Sequence, residues 1–379
     1  MIDLIKHEVR KIVGNKIFIC GFIVACVLNI LVYCSTSVPS LYAYSPEKDH
    51  YVQGMEAVKI EKEVASRYKG VLTDEKVQEI LKEFSQYKVE GLNSMVIGIV
   101  NGDEEHTQYY GFVELNSIQA TVNFFFANAD GTYNGVKVAD VFKEEISVGY
   151  NTGWLSTSSY LLQVTLIVDL FLVTILSRIF SSEYDGMDAL IYSSKYGKSK
   201  LVTSKIAVAF MIGMATITFF LGVNIVIALV TLGTEGLNSS VGFTRLHDFM
   251  IVNPYLLCSE LLMRILLLSF SSVVGVVAIT LLVSSVCNKD FTALAVAILV
   301  YFIPLFSMTV VNYDDSAFIL LMFFPGLQGN ALDILALNRI PIGTFDIEAV
   351  FLSIAFSTIV LNPICIYFAR KKVQTHQVM

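Results

Sequence analysis

The chain has 379 residues, of which 55% are hydrophobic and 16% are charged, and its formal net charge is −7. Soluble domains are usually less apolar and more charged, so this composition indicates a membrane protein. The acidic balance argues against nucleic-acid binding, which relies on basic surfaces. The six cysteines show no CxxC or Cys/His spacing, so the sequence predicts no zinc or other metal site.

Residues 1–16 have the pattern of an amphipathic helix. Apolar residues recur on one face at helical spacing, with basic residues around them: Ile2, Ile5, Val9, Ile12 and Val13, with Lys6, Arg10 and Lys11. Such a helix can lie flat at the inner surface of the membrane. The alternative is a cytoplasmic extension of the first membrane span, and the pattern does not separate the two.

Six later segments are apolar enough to cross a bilayer, which takes about 20 residues in a helix. They are residues 17–35, 158–177, 206–232, 265–287, 291–311 and 349–369. Because backbone exposed to lipid must satisfy its own hydrogen bonds, they predict six transmembrane helices. We therefore expect an α-helical polytopic membrane protein.

Basic residues cluster at alternate ends of these segments. All fall on one side if both termini are cytoplasmic: Lys6, Arg10, Lys11, Lys16, Arg178, Lys195, Lys198, Lys200, Lys205, Lys289, Arg370, Lys371 and Lys372. Lysine and arginine near span ends favour the cytoplasmic side, so the sequence predicts this orientation in a plasma membrane. The usage of lysine, isoleucine and asparagine fits a low-GC, Gram-positive bacterium.

Residues 36–157 form the longest stretch between two predicted spans and hold ten Lys/Arg against eighteen Asp/Glu. We expect an extracellular α+β domain here. Helical patterns cover Met55–Tyr68 and the residues after Thr73, which is a favourable N-cap. Runs rich in β-branched and aromatic residues at Met95–Val100 and Thr121–Phe126 are typical of strands.

A second outer segment, residues 317–327, is apolar but too short to span. It predicts a re-entrant or interfacial helix on the outer side, and the alternative is a packed loop of the outer domain. Two prolines, Pro304 and Pro363, lie within the fifth and sixth spans and should bend them.

Polar side chains inside the spans are candidates for a translocation path. They are Asn29, Gln163, Asp169 and Asn224. A carboxylate in mid-membrane is costly and usually faces a cavity or a partner, so Asp169 is either an ion or substrate contact or a protonated or paired tie between helices. For the amides, hydrogen bonding between helices is the favoured reading.

The sequence contains no catalytic signature. Gly197-Lys198-Ser199 resembles the end of a phosphate-binding loop, but the earlier glycine that the motif needs is Tyr192. None of the five histidines lies in a span or in a hydrolytic motif. We therefore expect no enzymatic activity and no bound cofactor in this chain.

The loop after the second span alternates acidic and apolar residues from Glu183 to Ile191. On a helix, Tyr184, Met187 and Ile191 share one face. That face can insert into a groove on a soluble partner or cover lipid headgroups, and the pattern alone leaves both open.

The same loop resembles that of the membrane subunits of ABC type-2 exporters, which reads Glu-x-x-Gly-Thr-Leu, Leu-Leu-Ser, a small and a basic residue, then a lysine. This sequence has matching positions, but Met187 and Asp188 replace Thr-Leu, and Lys195 stands where proline is common. The matching positions are Glu183, Gly186, Leu190, Ser194, Gly197, Lys198 and Lys205. The resemblance covers residues 1–36 and 155–379, while the large outer domain is similar to that of sodium-exporter-type permeases and peptide or antibiotic exporters.

The resemblance implies a half-transporter that pairs with a second permease subunit, identical or related. ATP and Mg would be bound by a separate ATP-binding subunit. That subunit would dock through a coupling helix comprising Glu183, Tyr184, Gly186, Met187, Leu190 and Ile191. In this reading Lys198 and Lys205 hold the far end of the helix at anionic headgroups, and a peptide or antimicrobial compound is the favoured substrate.

Two other functions also fit the sequence. One is an ion-coupled secondary transporter that uses Asp169, although the chain shows no internal repeat of the kind common in such proteins. The other is a membrane sensor whose outer domain binds a ligand. A neighbouring ATPase gene would favour the exporter, and a neighbouring kinase gene the sensor.

Overall fold

The structure is a computed structural model that describes residues 2–84, 115–128, 131–184, 197–244, 249, 251–312, 316–342 and 345–375. The chain divides into two compact units. The spanning unit comprises residues 1–35, 158–227 and 262–379, and the lobe comprises residues 36–157 and 228–261. The lobe thus includes the connection between the third and fourth spans.

The described residues include six helices that are long and apolar enough to cross a membrane, as the sequence predicts. Spans 1 to 6 are Lys16–Thr36, Thr152–Leu176, Val202–Leu232, Cys258–Val286, Asp290–Ser307 and Ala349–Thr375. A short turn of helix, Arg178–Ser181, follows span 2. The amphipathic pattern at the N-terminus forms a separate helix, Ile2–Val13, which we call the N-terminal helix.

Prolines lie within two of the spans. Pro304 lies inside span 5. In span 6, a π-helical turn at Ser357–Leu361 separates the α-helical segments Ala349–Phe356 and Asn362–Thr375. Pro363 cannot donate a backbone hydrogen bond, so a wider turn just before it is an expected adjustment.

The lobe is mainly helical, and its sheets are small. Its helices are Met55–Tyr68, Asp74–Phe84, Ser117–Phe126 and Val138–Val141. Two antiparallel pairs, Tyr42–Ser45 with His50–Gln53 and Gly70–Val71 with Ser147–Val148, supply the strands. The predicted helix Met55–Tyr68 is confirmed, and Thr73 caps the next helix by accepting a 3.3 Å hydrogen bond from the Lys76 amide.

The strand predicted at Thr121–Phe126 is wrong, because these residues belong to the helix Ser117–Phe126. Asn116 caps this helix through a 2.8 Å hydrogen bond from the Gln119 amide. The buried Glu61 carboxylate accepts a further 2.8 Å bond from the Ser117 amide. These contacts stabilise a helix start and outweigh the β preference of the aromatic residues. The other predicted strand, Met95–Val100, lies outside the described residues.

The segment after span 5 forms short helices at Phe318–Leu321, Pro325–Gly329 and Leu332–Leu337, followed by the hairpin Arg339–Ile342 with Phe345–Glu348. It belongs to the spanning unit and not to the lobe. The side-chain amide of Gln328 donates to the hydroxyls of Ser353 and Ser357 in span 6 at 2.9 and 2.6 Å. We call Pro325–Gly329 the Pro325 helix.

A buried charge cluster as the candidate functional site

The predicted docking segment begins within the part of the chain that the structure describes and continues beyond it. Glu183 and Tyr184 are described, whereas Gly186, Met187, Leu190 and Ile191 lie outside the described residues. The described residues on either side show how the two ends of this loop are held.

Both ends of the loop meet in one buried ion pair. Glu183 lies just before the undescribed stretch, and Lys205 lies in the first turn of span 3. The Lys205 ammonium donates to the Glu183 carboxylate and, at 2.9 Å, to the Ile179 carbonyl. The Lys205 side chain is 1% exposed and that of Glu183 is 6% exposed. A charge pair of this kind persists in a low-dielectric site only when its partners satisfy it.

The N-terminal helix completes the cluster. Lys11 donates to the same Glu183 carboxylate oxygen at 3.0 Å. Glu8, also buried, lies with its carboxylate 3.8 Å from the Lys205 ammonium. Two carboxylates therefore face two ammonium groups, so the four charges cancel. We call Glu8, Lys11, Glu183 and Lys205 the charge cluster.

The position of Lys205 corrects the sequence-based interpretation. A lysine at a span end was expected to reach anionic headgroups, but its ammonium is buried and paired within the protein. Its side chain lies beside Glu183, where the attraction of a buried carboxylate replaces hydration. The side chain of Lys198 lies outside the described residues, so its predicted contact with headgroups stays a prediction.

A second set of contacts fixes the end of span 2. Arg178 pairs with Asp290 at the start of span 5, at 2.7 Å, and Ser181 donates to the other oxygen of the same carboxylate at 2.7 Å. The hydroxyl of Tyr184 donates to the Ser285 carbonyl near the end of span 4 at 3.1 Å. The entry to the loop is thus bonded to spans 4 and 5, in addition to span 3 and the N-terminal helix.

The charge cluster and the contacts at the end of span 2 join several helical elements to the start of the loop. Its groups are satisfied by one another, and among the described residues no set of three or more His, Cys, Asp or Glu is placed to hold a metal ion. Hydrogen-bond and salt-bridge networks can carry energetic coupling between the elements that they join. The contacts described here join the start of the loop to four helical elements.

The predicted translocation-path residues fall into two separate networks. The Tyr160 hydroxyl lies 2.7 Å from the side-chain oxygens of both Asn29 and Asn224, which joins spans 1, 2 and 3. Asn224 also donates to Asn29 at 3.0 Å. These bonds agree with the interhelical reading of the two amides. Gln163, on span 2, is half-buried and belongs to neither network among the described contacts.

Asp169 lies in the second network and is fully buried on span 2. Its Oδ2 atom lies 2.6 Å from the Ser272 hydroxyl of span 4 and 3.0 Å from the Tyr301 hydroxyl of span 5. The sequence indicates Asp169 as a candidate but neither of its partners. A serine or a tyrosine in an apolar helix is common, and its position in the sequence does not show which residue it contacts.

Comparison of this chain with protein-family models, with curated proteins and with solved structures gives no match.

Proposed function

We propose that this chain is the membrane-spanning permease subunit of an ATP-driven ABC exporter, with ATP and Mg bound by a separate subunit. The observation that carries the proposal is the charge cluster, in which Glu183, at the start of the predicted coupling helix, pairs with Lys205 of span 3 and with Lys11 of the N-terminal helix. A permease driven by a soluble motor needs such a connection, because the energy is released outside the membrane and the work is done inside it.

The contacts indicate how a displacement of the loop would be transmitted to the membrane helices. A partner that pushes on the loop moves Glu183, and Glu183 is bonded to Lys205 in span 3 and to Lys11 in the N-terminal helix. Ser181 and Tyr184 carry the same displacement to spans 5 and 4. Closure of the ATPase would in this way shift the helices around the path together.

Charge distribution supports the orientation that the proposal requires. In it, both termini and the loop after span 2 are cytoplasmic, where an ATP-binding subunit would be found. The acidic lobe is then extracellular, and we propose that it handles an exported peptide or antimicrobial compound. A second permease subunit is expected to cover part of the apolar faces of spans 1 and 5, which are largely exposed in the single chain.

Asp169 supports a second candidate, an ion-coupled transporter. Its Oδ1 atom is buried and has no hydrogen-bond partner among the described residues. An ionisable residue within a span often marks an ion or substrate pathway. The exporter remains the better-supported function, because ion coupling gives no reason to tie a cytoplasmic loop to four helical elements.

The two candidates predict different responses to energy sources. In a cysteine-free background, we expect the alkylation rate of Gln163→Cys in native membrane vesicles to change several-fold on addition of ATP and Mg. The physical reason is that helix movement around the path changes water access to a half-buried position. Alkylation of Val226→Cys, which is exposed on span 3 and lies on neither span 1 nor span 5, should not change.

The outcome separates three functions. A response to ATP, blocked by a non-hydrolysable analogue, supports the exporter. A response to an imposed ion gradient but not to ATP would favour the ion-coupled transporter. No response to either, with altered labelling of the lobe on addition of a ligand, would favour a sensor.

A further inference from the structure

The hydroxyl of Ser272 lies between two hydrogen-bond acceptors. Its Oγ atom is 2.6 Å from Asp169 Oδ2 and 2.7 Å from the backbone carbonyl oxygen of Pro325. A serine hydroxyl has one hydrogen and can donate to one of them only. The protonation state of Asp169 decides whether the other contact is also a hydrogen bond.

If Asp169 were ionised, one of the two contacts would bring lone pairs together at hydrogen-bonding distance without a hydrogen between them. If Asp169 carries a proton on Oδ2, all three contacts are satisfied. The acid donates to Ser272, Ser272 donates to the Pro325 carbonyl, and the Tyr301 hydroxyl donates to Asp169 Oδ2 at 3.0 Å. The number of hydrogen atoms available for these three contacts therefore favours the neutral, protonated form of Asp169.

The surroundings favour the same state. Asp169 and Ser272 are both fully buried, and the Oδ1 atom of Asp169 has no partner among the described residues. An unpartnered oxygen costs far less on a neutral acid than on a carboxylate. Gly329 closes the site, since a Cβ atom there would lie 3.1 Å from both Asp169 Oδ2 and Ser272 Oγ.

No described basic group is placed to balance a negative charge here. The elements packed around Asp169 carry their charges near their ends: Lys16, Arg178, Lys200, Lys205, Glu260, Arg264, Asp290, Glu348, Arg370, Lys371 and Lys372. Arg264 is eight residues from Ser272, or about 12 Å along the helix. Asp333, after the Pro325 helix, is the other titratable group nearby in sequence, and burial raises its pKa.

We propose that Asp169 is a proton-binding site and that its bound proton latches the Pro325 helix to spans 2, 4 and 5. Removal of the proton turns the Ser272 hydroxyl towards the carboxylate and frees the Pro325 carbonyl. The Pro325 helix is then held to span 4 by packing alone at this point. This inference does not depend on the ATP-driven export proposed above.

Infrared spectroscopy of the purified protein tests the protonation directly. A carboxylic acid and a carboxylate have distinct carbonyl absorptions, and Asp169→Asn removes the group. At neutral pH we expect the variant to lose one carboxylic-acid band that the native protein shows, and Asp333→Asn to retain it. The band should disappear from the native protein at alkaline pH. If Asp169→Asn loses no acid band at neutral pH, the proposal is overturned.

Hydrogen–deuterium exchange tests the latch. The Gln328 amide donates to the Phe324 carbonyl and the Asn330 amide to the Gly326 carbonyl, both at 3.2 Å, so these two amides report opening at the two ends of the Pro325 helix. Ser272→Ala should accelerate their exchange several-fold. The matched control is Ser271→Ala, because the Ser271 hydroxyl is buried without a partner among the described residues. In Ser271→Ala these amides should exchange at the rate of the native protein. Equal exchange rates in Ser272→Ala and Ser271→Ala would contradict the latch. This comparison does not require Asp169→Asn to fold.

Discussion

Replacement of Lys205 by alanine is expected to lower the free energy of unfolding in detergent by about 3–5 kcal/mol. The substitution leaves the Glu183 carboxylate buried without its lysine partner in span 3, and Glu8 loses the nearest ammonium of span 3. Lys11 remains but is half-exposed, so it replaces only part of the lost attraction. Denaturant unfolding followed by circular dichroism measures the change.

A matched control separates this effect from the loss of any positive charge. Lys289 is exposed at the turn before span 5, and Lys289→Ala should change stability by less than about 0.5 kcal/mol. The double variant Lys205→Met with Glu183→Leu should recover part of the loss, because it removes the unpaired charge. Equal stability of Lys205→Ala and Lys289→Ala would show that the charge cluster does not hold the loop.

Met187→Glu combined with Leu190→Glu is expected to weaken binding of the ATP-binding subunit by at least about 100-fold. In the predicted coupling helix these side chains enter an apolar groove, where two new carboxylates would be buried without partners. Binding is measured by titrating the purified partner onto the detergent-solubilised chain.

The control for this prediction is a charge on the other side of the same segment. Ala189 would face away from Met187 on a helix, so Ala189→Glu should bind the partner nearly as well as the native chain. If the double variant binds with native affinity, the docking assignment fails. If Ala189→Glu is as damaging as the double variant, the loss reflects added charge and not a docking face.

The membrane helices were predictable because hydropathy is a local property. A run of about 20 apolar residues is sufficient to indicate a span, whatever it packs against. The ends were less predictable. Span 2 begins at Thr152 and span 4 at Cys258, each several residues before the apolar run, because hydroxyl-rich or amphipathic turns continue the helix.

The charge cluster was not predictable in the same way. Lys205 looks like an ordinary basic residue at a span end, and its partners Glu183 and Glu8 are 22 and 197 positions earlier in the chain. No sequence pattern indicates that these residues pair. The burial of their side chains and the distances between them depend on how the helices pack. The Ser117–Phe126 helix shows the same limit, since Glu61, distant in sequence, stabilises its first turn.

The most direct test of the exporter is an affinity pull-down of the detergent-solubilised chain from its native membrane, with mass spectrometry of the associated proteins. We expect an ATP-binding subunit in stoichiometric amount, and its loss from the Met187→Glu, Leu190→Glu variant. A clean preparation without an ATPase, reproduced in a mild detergent, would contradict the proposed function and turn attention to Asp169 and ion-coupled transport.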